Sequence, residues 1–568
     1  MSPTPLTGQT ATQLVTTLVR LREALEAARL PLEIPDVESA RRGRAEMLDQ
    51  LEDYILPRLI QIDAPVLTVV GGSTGAGKST LVNSLVGQRV TEPGVLRPTT
   101  RSPVLVFNPA DAEWFEKLRI LPDLRRTSNA SGDPGALQLV QSPAVPAGLA
   151  VLDAPDIDSV EEQNRTLAAQ LLGAADLWLF VTSAARYADQ VPWEFLRSAA
   201  ERSAAVAIVL DRTAPGDVHE VSTHLARMLT ARGLRDSPLF VVPEGEVDEA
   251  GLLPSTTVRE IRAWLSSLAM DANARQGVIR QTLEGAVRTL STRSFAVADA
   301  VHDQVEIQAR LRRDAESAYE SALNEIDHAS TDGSLLRGEL LAVWQQFVGN
   351  GDVVKGLESK AGRIRDRVSH AVKGQPDSAT LVVEAVETAV TALVVEQAEY
   401  AAEHTDAAWR GIVAGQTLLD GTHEDLARAS RDFRARTERT VRDWQAQLLD
   451  VLREEGTDRS SGRSLASGVD GLSVALMITV LGASTAPVSN SAELGRRILV
   501  EVFGEDGMHR LAGRARHDLA DLMLHLLESE QRRYGDLLDA LGVTAAIEED
   551  LRAGARNIDD IRFAADPV

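Results

Sequence analysis

Cysteine is absent from the 568 residues, which excludes disulfides and thiolate metal sites and fits a reducing compartment. Positive charge is also scarce: 59 Lys and Arg stand against 83 Asp and Glu, a formal net charge of −24. A chain this acidic repels nucleic-acid phosphates as a whole. No nucleic-acid partner is therefore expected, and contact with an anionic surface requires a local basic face. The N-terminus, MSPTPLTGQT, has no basic patch ahead of an apolar run, so no secretory leader is expected and a cytoplasmic location is. Proline is scarce in one part only: 20 of the 23 prolines lie in residues 1–254 and three lie beyond. Because proline breaks helix interiors, that bias predicts turn-rich α/β structure first and long helices afterwards. At this length two to four domains are expected.

What is present is organised around Val66–Thr80, an apolar β-branched run followed by a glycine-rich turn and a helix start. From Gly72 to Ser79 the stretch fits the P-loop spacing G-x-x-x-x-G-K-S. Gly72, Gly75 and Gly77 allow successive backbone N–H groups to turn inward onto phosphate oxygens, and the N–H groups around Ala76 and Thr80 belong to the same cradle. The following helix adds its positive dipole end. In this reading Lys78 reaches the β- and γ-phosphates and the Ser79 hydroxyl takes a coordination position on Mg²⁺.

Two helices are predicted ahead of the P-loop, Thr12 to Leu30 and Val37 to Ile60, with Pro57 bending the last turn of the second. Their apolar stripes need cover, which the C-terminal helical half is expected to supply. From residue 63 to about 254 short apolar runs alternate with helical segments: 66–70, 103–107, 137–140, 149–152, 177–181, 205–210 and 239–242. The pattern predicts a mostly parallel sheet with helices on both faces. In such sheets ligands sit at the carboxyl ends of strands, which singles out three loops. The loop 96–103 offers Thr100 to close over a γ-phosphate and bind Mg²⁺; Asp153-Ala154-Pro155-Asp156 offers Asp153 to hold Mg²⁺ through water; Asp211-Arg212-Thr213-Ala214 is the expected place for base recognition. A threonine pair in a loop or an aspartate after a strand is also ordinary turn chemistry, and only their order behind a P-loop lifts them above it.

The order GSTGAGKST, RPTTRSP, LDAPD and VLDR resembles the dynamin-like large GTPases, with the bacterial, especially actinobacterial, members closest. The resemblance covers residues 63–245. Beyond them it rests on helical content and on two short runs, Trp344–Gly349 and Gly471–Met477. It implies an α/β P-loop GTPase domain (63–255) joined to a long α-helical bundle or stalk (256–568), with the N-terminal helices (1–62) packing on that bundle. It also implies GTP as nucleotide, ATP not being excluded, Mg²⁺ held by Ser79, Thr100 and Asp153, and catalysis resting on Lys78, Thr100 and Asp153. The stretch Ser183–Asp189 resembles the family's segment near the interface of paired GTPase domains. Self-association through these domains, a second dynamin-like partner and anionic membrane lipid are the partners implied, with a peripheral position at the inner face of the cell membrane. Membrane remodelling or stabilisation, in division among other settings, is the function implied.

Three departures bear on the chemistry. Animal dynamins carry a Gln-Ser pair inside the P-loop where this chain has Thr74 and Gly75. The second-switch motif ends in glycine in the family and in Asp156 here, a carboxylate that would repel a γ-phosphate unless it turns away. The guanine-reading aspartate is replaced by Ala214, leaving Arg212 to stack on the base. Their combined loss keeps open a second function, a non-hydrolysing nucleotide-binding scaffold with a soluble helical interaction domain.

In the helical half, Arg428 to Arg442 carries six arginines, readable as a solvated face or as a headgroup-binding one. The apolar centre Leu472–Ala483 is 12 residues, short of the about 20 that a spanning helix needs. Core helix and membrane-dipping hairpin both remain open for it, the latter placing a membrane-contact element near 466–490.

Overall fold

The computed structural model describes residues 8–92, 102–116, 120–129, 133, 135–159, 162–201, 204–349, 376–457, 469–482 and 490–565. They form two compact units, one of residues 1–30, 36–302 and 544–568 and one of residues 31–35 and 303–543. The cuts fall elsewhere than at the domain limits read from sequence.

The first unit is built on an eight-stranded sheet in the order β3-β4-β2-β5-β1-β6-β7-β8. Its strands are β1 (Val66–Gly72), β2 (Val104–Phe107), β3 (Arg125–Thr127), β4 (Ala136–Gln141), β5 (Leu149–Asp153), β6 (Leu177–Ser183), β7 (Ala205–Thr213) and β8 (Leu239–Pro243). Among the described residues only the β2–β5 pair is antiparallel. β1 is buried along its whole length because both faces are covered: Leu67 and Val69 point into one apolar cluster, Val66 and Val70 into another. The near-continuous apolar runs of β1, β5 and β6 follow from this double cover, since a one-sided sheet would alternate.

Ahead of β1 come α1 (Gly8–Ala27), α2 (Val37–Gln50), a π turn (Leu51–Ile55) and α3 (Leu56–Ile60). The second predicted helix is therefore continuous but underwound into a π turn just before Pro57, the kind of local defect that bends a helix. Within this unit α1 packs on the last helix of the chain, Ala545–Ala565, where a side chain on Gly554 would press against Leu21. The α3 segment is tied to the sheet by a buried ion pair: Arg58 donates to Asp176, whose Oδ2 also accepts the Leu67 N–H at 2.7 Å.

Asp53, in the π turn, is buried with Oδ1 lacking a partner among the described residues, while Oδ2 accepts from Gln170 at 2.9 Å. Burial, with smaller pushes from Asp123, Asp49 and Glu52, raises its carboxyl to about 7. An unfolded aspartate titrates near 3.9, so between about pH 4 and 7 the folded chain binds the extra proton and stability falls as pH rises. Asp53→Asn is accordingly expected to raise the melting temperature more at pH 8 than at pH 5. Melting curves at the two pH values check this, and an equal gain at both would refute it.

The second unit is helical in its described residues, with most of its buried apolar side chains in one cluster. Three indoles lie at its centre, and two donate to main-chain carbonyls: Trp409 Nε1 to Leu311 O and Trp444 Nε1 to Ala515 O, each at 2.9 Å. The helix Val469–Leu481 sits inside this cluster, with residues 472–481 all under 8% exposed. Of the two readings open for 472–483, the described part thus takes the core-helix one; 466–468 and 483–489 lie outside the described residues. No helix among the described residues is long and apolar enough to cross a membrane. Part of the arginine face is engaged as well: Arg436 pairs with the fully buried Glu530, and Arg442 with Glu387 at 2.6 Å.

Candidate functional site: a phosphate cradle and its three carboxylates

β1 delivers the chain to the P-loop, and backbone geometry there explains two of its glycines. Gly72 has φ +149° and a Cβ on it would lie 2.0 Å from the Val181 carbonyl of β6. Gly77, at φ +98°, caps the helix α4 (Lys78–Val86), and its Cβ would lie 2.1 Å from Asp211 Oδ2. A side chain at Gly72 would have to displace the β6 backbone; one at Gly77 would collide with the Asp211 carboxylate and strain a left-handed φ. Gly75 also has positive φ, at 74°, and Ala76, buried, closes a turn onto Ser73 O at 3.1 Å. Thr80 lies in the first turn of α4 beside Ser79.

The end of β5 and the segment that follows face this loop with three carboxylates, each engaging a different part of it. Asp153 Oδ2 accepts from Ser79 Oγ at 2.7 Å. Asp156 forms a short, buried ion pair with Lys78, whose ammonium also donates to Gly72 O at 3.0 Å and Ser73 O at 3.1 Å. Asp158 Oδ1 accepts from the Thr74 N–H at 2.6 Å and from the Thr74 hydroxyl at 2.7 Å, and its other oxygen pairs with Arg186 at 2.6 Å. Arg186 belongs to the stretch 183–189 singled out in sequence. Thr74 therefore stands with its donors already committed to a carboxylate, in the place where animal dynamins have glutamine.

Of the residues singled out in sequence, Lys78, Ser79 and Asp153 lie together at this loop, while Thr100 lies outside the described residues. Sequence reasoning missed Thr91, whose hydroxyl also donates to Asp153 Oδ2 at 2.8 Å, and it stopped at Asp156, one turn short of Asp158. Asp153 is fully buried; burial raises its carboxyl, with the Ser79 and Thr91 hydroxyls and Lys78 opposing. Its Oδ1 is buried without a partner among the described residues. A hard cation answers that situation: Mg²⁺ takes oxygen ligands, and a carboxylate with one unsatisfied oxygen beside a serine hydroxyl is the donor chemistry it needs. The residues present fit the metal.

At the far side, β7 breaks register with β8 between Leu210 and Thr213. The break leaves Arg212 at φ +50° and exposed, with Nε about where it lines the P-loop, 3.8 Å from a Cβ built on Gly77. Asp211 also reaches toward Gly77; its Oδ1 accepts the Arg212 N–H at 2.8 Å and burial raises its carboxyl to about 6.

A glycine-constrained anion loop, a buried lysine and a serine–aspartate pair at the carboxyl ends of a mostly parallel sheet define a P-loop nucleotide-binding domain of dynamin-like GTPase fold. Residues 68–211 match the model of the dynamin family. A curated relative, the probable transmembrane GTPase FZO-like, chloroplastic, of Arabidopsis thaliana, is 25% identical over 154 residues, which is 27% of this chain and 16% of that protein. The match thus spans only a small part of that relative's length. Among solved structures, the chain is similar to a bacterial dynamin pair described as oligomerised and as a mechanism for long-range sensing and tethering of membranes, with 11% identity and a TM-score of 0.36 over 95% of this chain and 96% of that one. It is also similar to LeoA, a bacterial dynamin GTPase from ETEC, with 11% identity and a TM-score of 0.23 over 100% of this chain and 97% of that one.

Proposed function

We propose that the protein is a dynamin-like NTPase that binds and hydrolyses GTP with Mg²⁺, and that its GTPase domains pair in a nucleotide-dependent way to act on an anionic membrane through the helical half. The observation that carries the proposal is the convergence of Lys78, Ser79 and Asp153 on one cradle inside the region that matches the dynamin family. Lys78 would offset charge on the transferring phosphoryl group, Ser79 and Asp153 would hold Mg²⁺ directly or through water with Thr100, and Arg212 would stack on the base. Membrane remodelling or stabilisation, in division among other settings, a second dynamin-like partner and an actinobacterial origin belong to the same proposal.

A second reading, a non-hydrolysing nucleotide-binding scaffold, is favoured by two observations: Asp156 occupies Lys78, and residues 472–481 are core. Phosphate release from GTP and from ATP, with and without anionic liposomes, separates the two. Liposome-stimulated GTP turnover with co-sedimentation supports the first reading; saturable binding without turnover or sedimentation supports the scaffold.

A further inference from the structure

After α4 the chain reverses through Gly87, which has φ +79°, and runs back past the helix it has just left. One side chain captures the returning segment. Asn83, fully buried, accepts the N–H groups of Val90 and Thr91 on Oδ1 at 2.8 and 3.0 Å and donates from Nδ2 to the Thr91 carbonyl at 2.8 Å. Three hydrogen bonds from a single amide fix the Thr91 backbone on both sides. Its side chain, in a residue only 4% exposed, then delivers a hydroxyl to Asp153 Oδ2, the same oxygen that Ser79 Oγ reaches.

We infer that Thr91 is a positioning residue of the divalent-cation site, acting through Asp153 and anchored by Asn83; the inference rests on the nucleotide reading proposed above. Mg²⁺ demands near-ideal octahedral geometry at about 2.0–2.1 Å, so the orientation of a carboxylate beside it decides whether that carboxylate helps or obstructs. A buried carboxylate held by Ser79 alone would be free to rotate about that one bond whenever the serine lone pairs turn to the cation. The Thr91 hydroxyl is a second fixed donor, so Asp153 keeps its orientation and Oδ1 stays uncommitted. Partners of this outer kind typically contribute about 10–100-fold to metal affinity. The competing account is that Thr91 only satisfies a buried oxygen. In that case its loss lowers stability and leaves cation binding as it was.

The test uses the full chain and GTP bearing a fluorescent N-methylanthraniloyl group, titrated with and without Mg²⁺. For Thr91→Val the Mg²⁺ concentration giving half-maximal tightening of nucleotide binding is expected to rise about tenfold or more. Affinity in EDTA is expected to stay within about twofold of the unaltered chain, because the phosphate donors are untouched. Thr91→Ser, which keeps the hydroxyl, is expected to behave as the unaltered chain, and Asn83→Ala to shift the midpoint in the same direction as Thr91→Val. Should Thr91→Val not fold, Thr91→Ala reads the same quantity. An Mg²⁺ midpoint unchanged in a hydroxyl-less variant that still binds nucleotide overturns the inference alone. Absence of nucleotide binding by the unaltered chain, in either condition, overturns the nucleotide reading beneath it.

Discussion

Asp156→Asn is expected to bind GTP about tenfold more tightly than the unaltered chain. In the structure the Lys78 ammonium is already saturated, by two P-loop carbonyls and by the Asp156 carboxylate, and both side chains of the pair are about 5% exposed or less. A carboxylate oxygen on that ammonium stands where a phosphate oxygen stands in the P-loop reading, so nucleotide entry must break a buried ion pair. It must also bring a second anion close to the carboxylate it has displaced. Two unit charges about 5 Å apart at an effective dielectric of about 20 repel by roughly 3 kcal/mol, and half of that is already a factor of about ten in affinity. Asparagine keeps the shape and removes the charge. The same substitution leaves Lys78 buried without a counter-charge, so the free variant is expected to melt at a lower temperature and to recover when inorganic phosphate is added. Calorimetric titration with Mg²⁺-GTP reads the affinity; weaker binding by the variant would show that Asp156 supports the bound state and does not compete with it.

Lys78→Ala is expected to weaken nucleotide binding by about 100-fold or more, since a buried charge facing an anion contributes on the order of 3–5 kcal/mol when its partner is present. The difficulty with this variant is that it strands Asp156 in a buried site, and a loss of binding through misfolding would look the same. The double variant Lys78→Ala/Asp156→Asn removes both charges. It is expected to melt close to the unaltered chain and still to bind nucleotide about tenfold or more weakly than that chain. Calorimetry on the pair of variants separates loss of the cradle from loss of the fold, and undiminished binding by the double variant would refute the assignment of Lys78.

What the sequence disclosed follows from how local each signal is. β1, the P-loop and α4 are contiguous, so their spacing carried strand, turn and helix together, and Lys78 and Ser79 came with them. Strand β3 was invisible because Arg125-Arg126-Thr127 is a three-residue polar edge whose only partner among the described residues is β4. The helix at 469–481 gave no periodicity to read, because a segment buried on every side has no polar face. Thr91 looked like an ordinary loop threonine: the partners that give it a role are Asn83, eight residues back, and Asp153, 62 residues on. Asp156 was read as a departure whose carboxylate would repel a γ-phosphate unless it turned away; its actual destination, Lys78 itself, depends on the path of the loop after β5. Asp158, two residues further, ties the P-loop to Arg186 by the same kind of long-range pairing and has no sequence signature of its own.

The central claim, that the cradle built by Lys78, Ser79 and Asp153 serves hydrolysis of a nucleoside triphosphate, is tested most directly by phosphate release from Mg²⁺-GTP over several hours. The unaltered chain and the Lys78→Ala/Asp156→Asn variant are run side by side. The account predicts release by the unaltered chain that the variant lacks. Equal release by the two, or none by either, would contradict it.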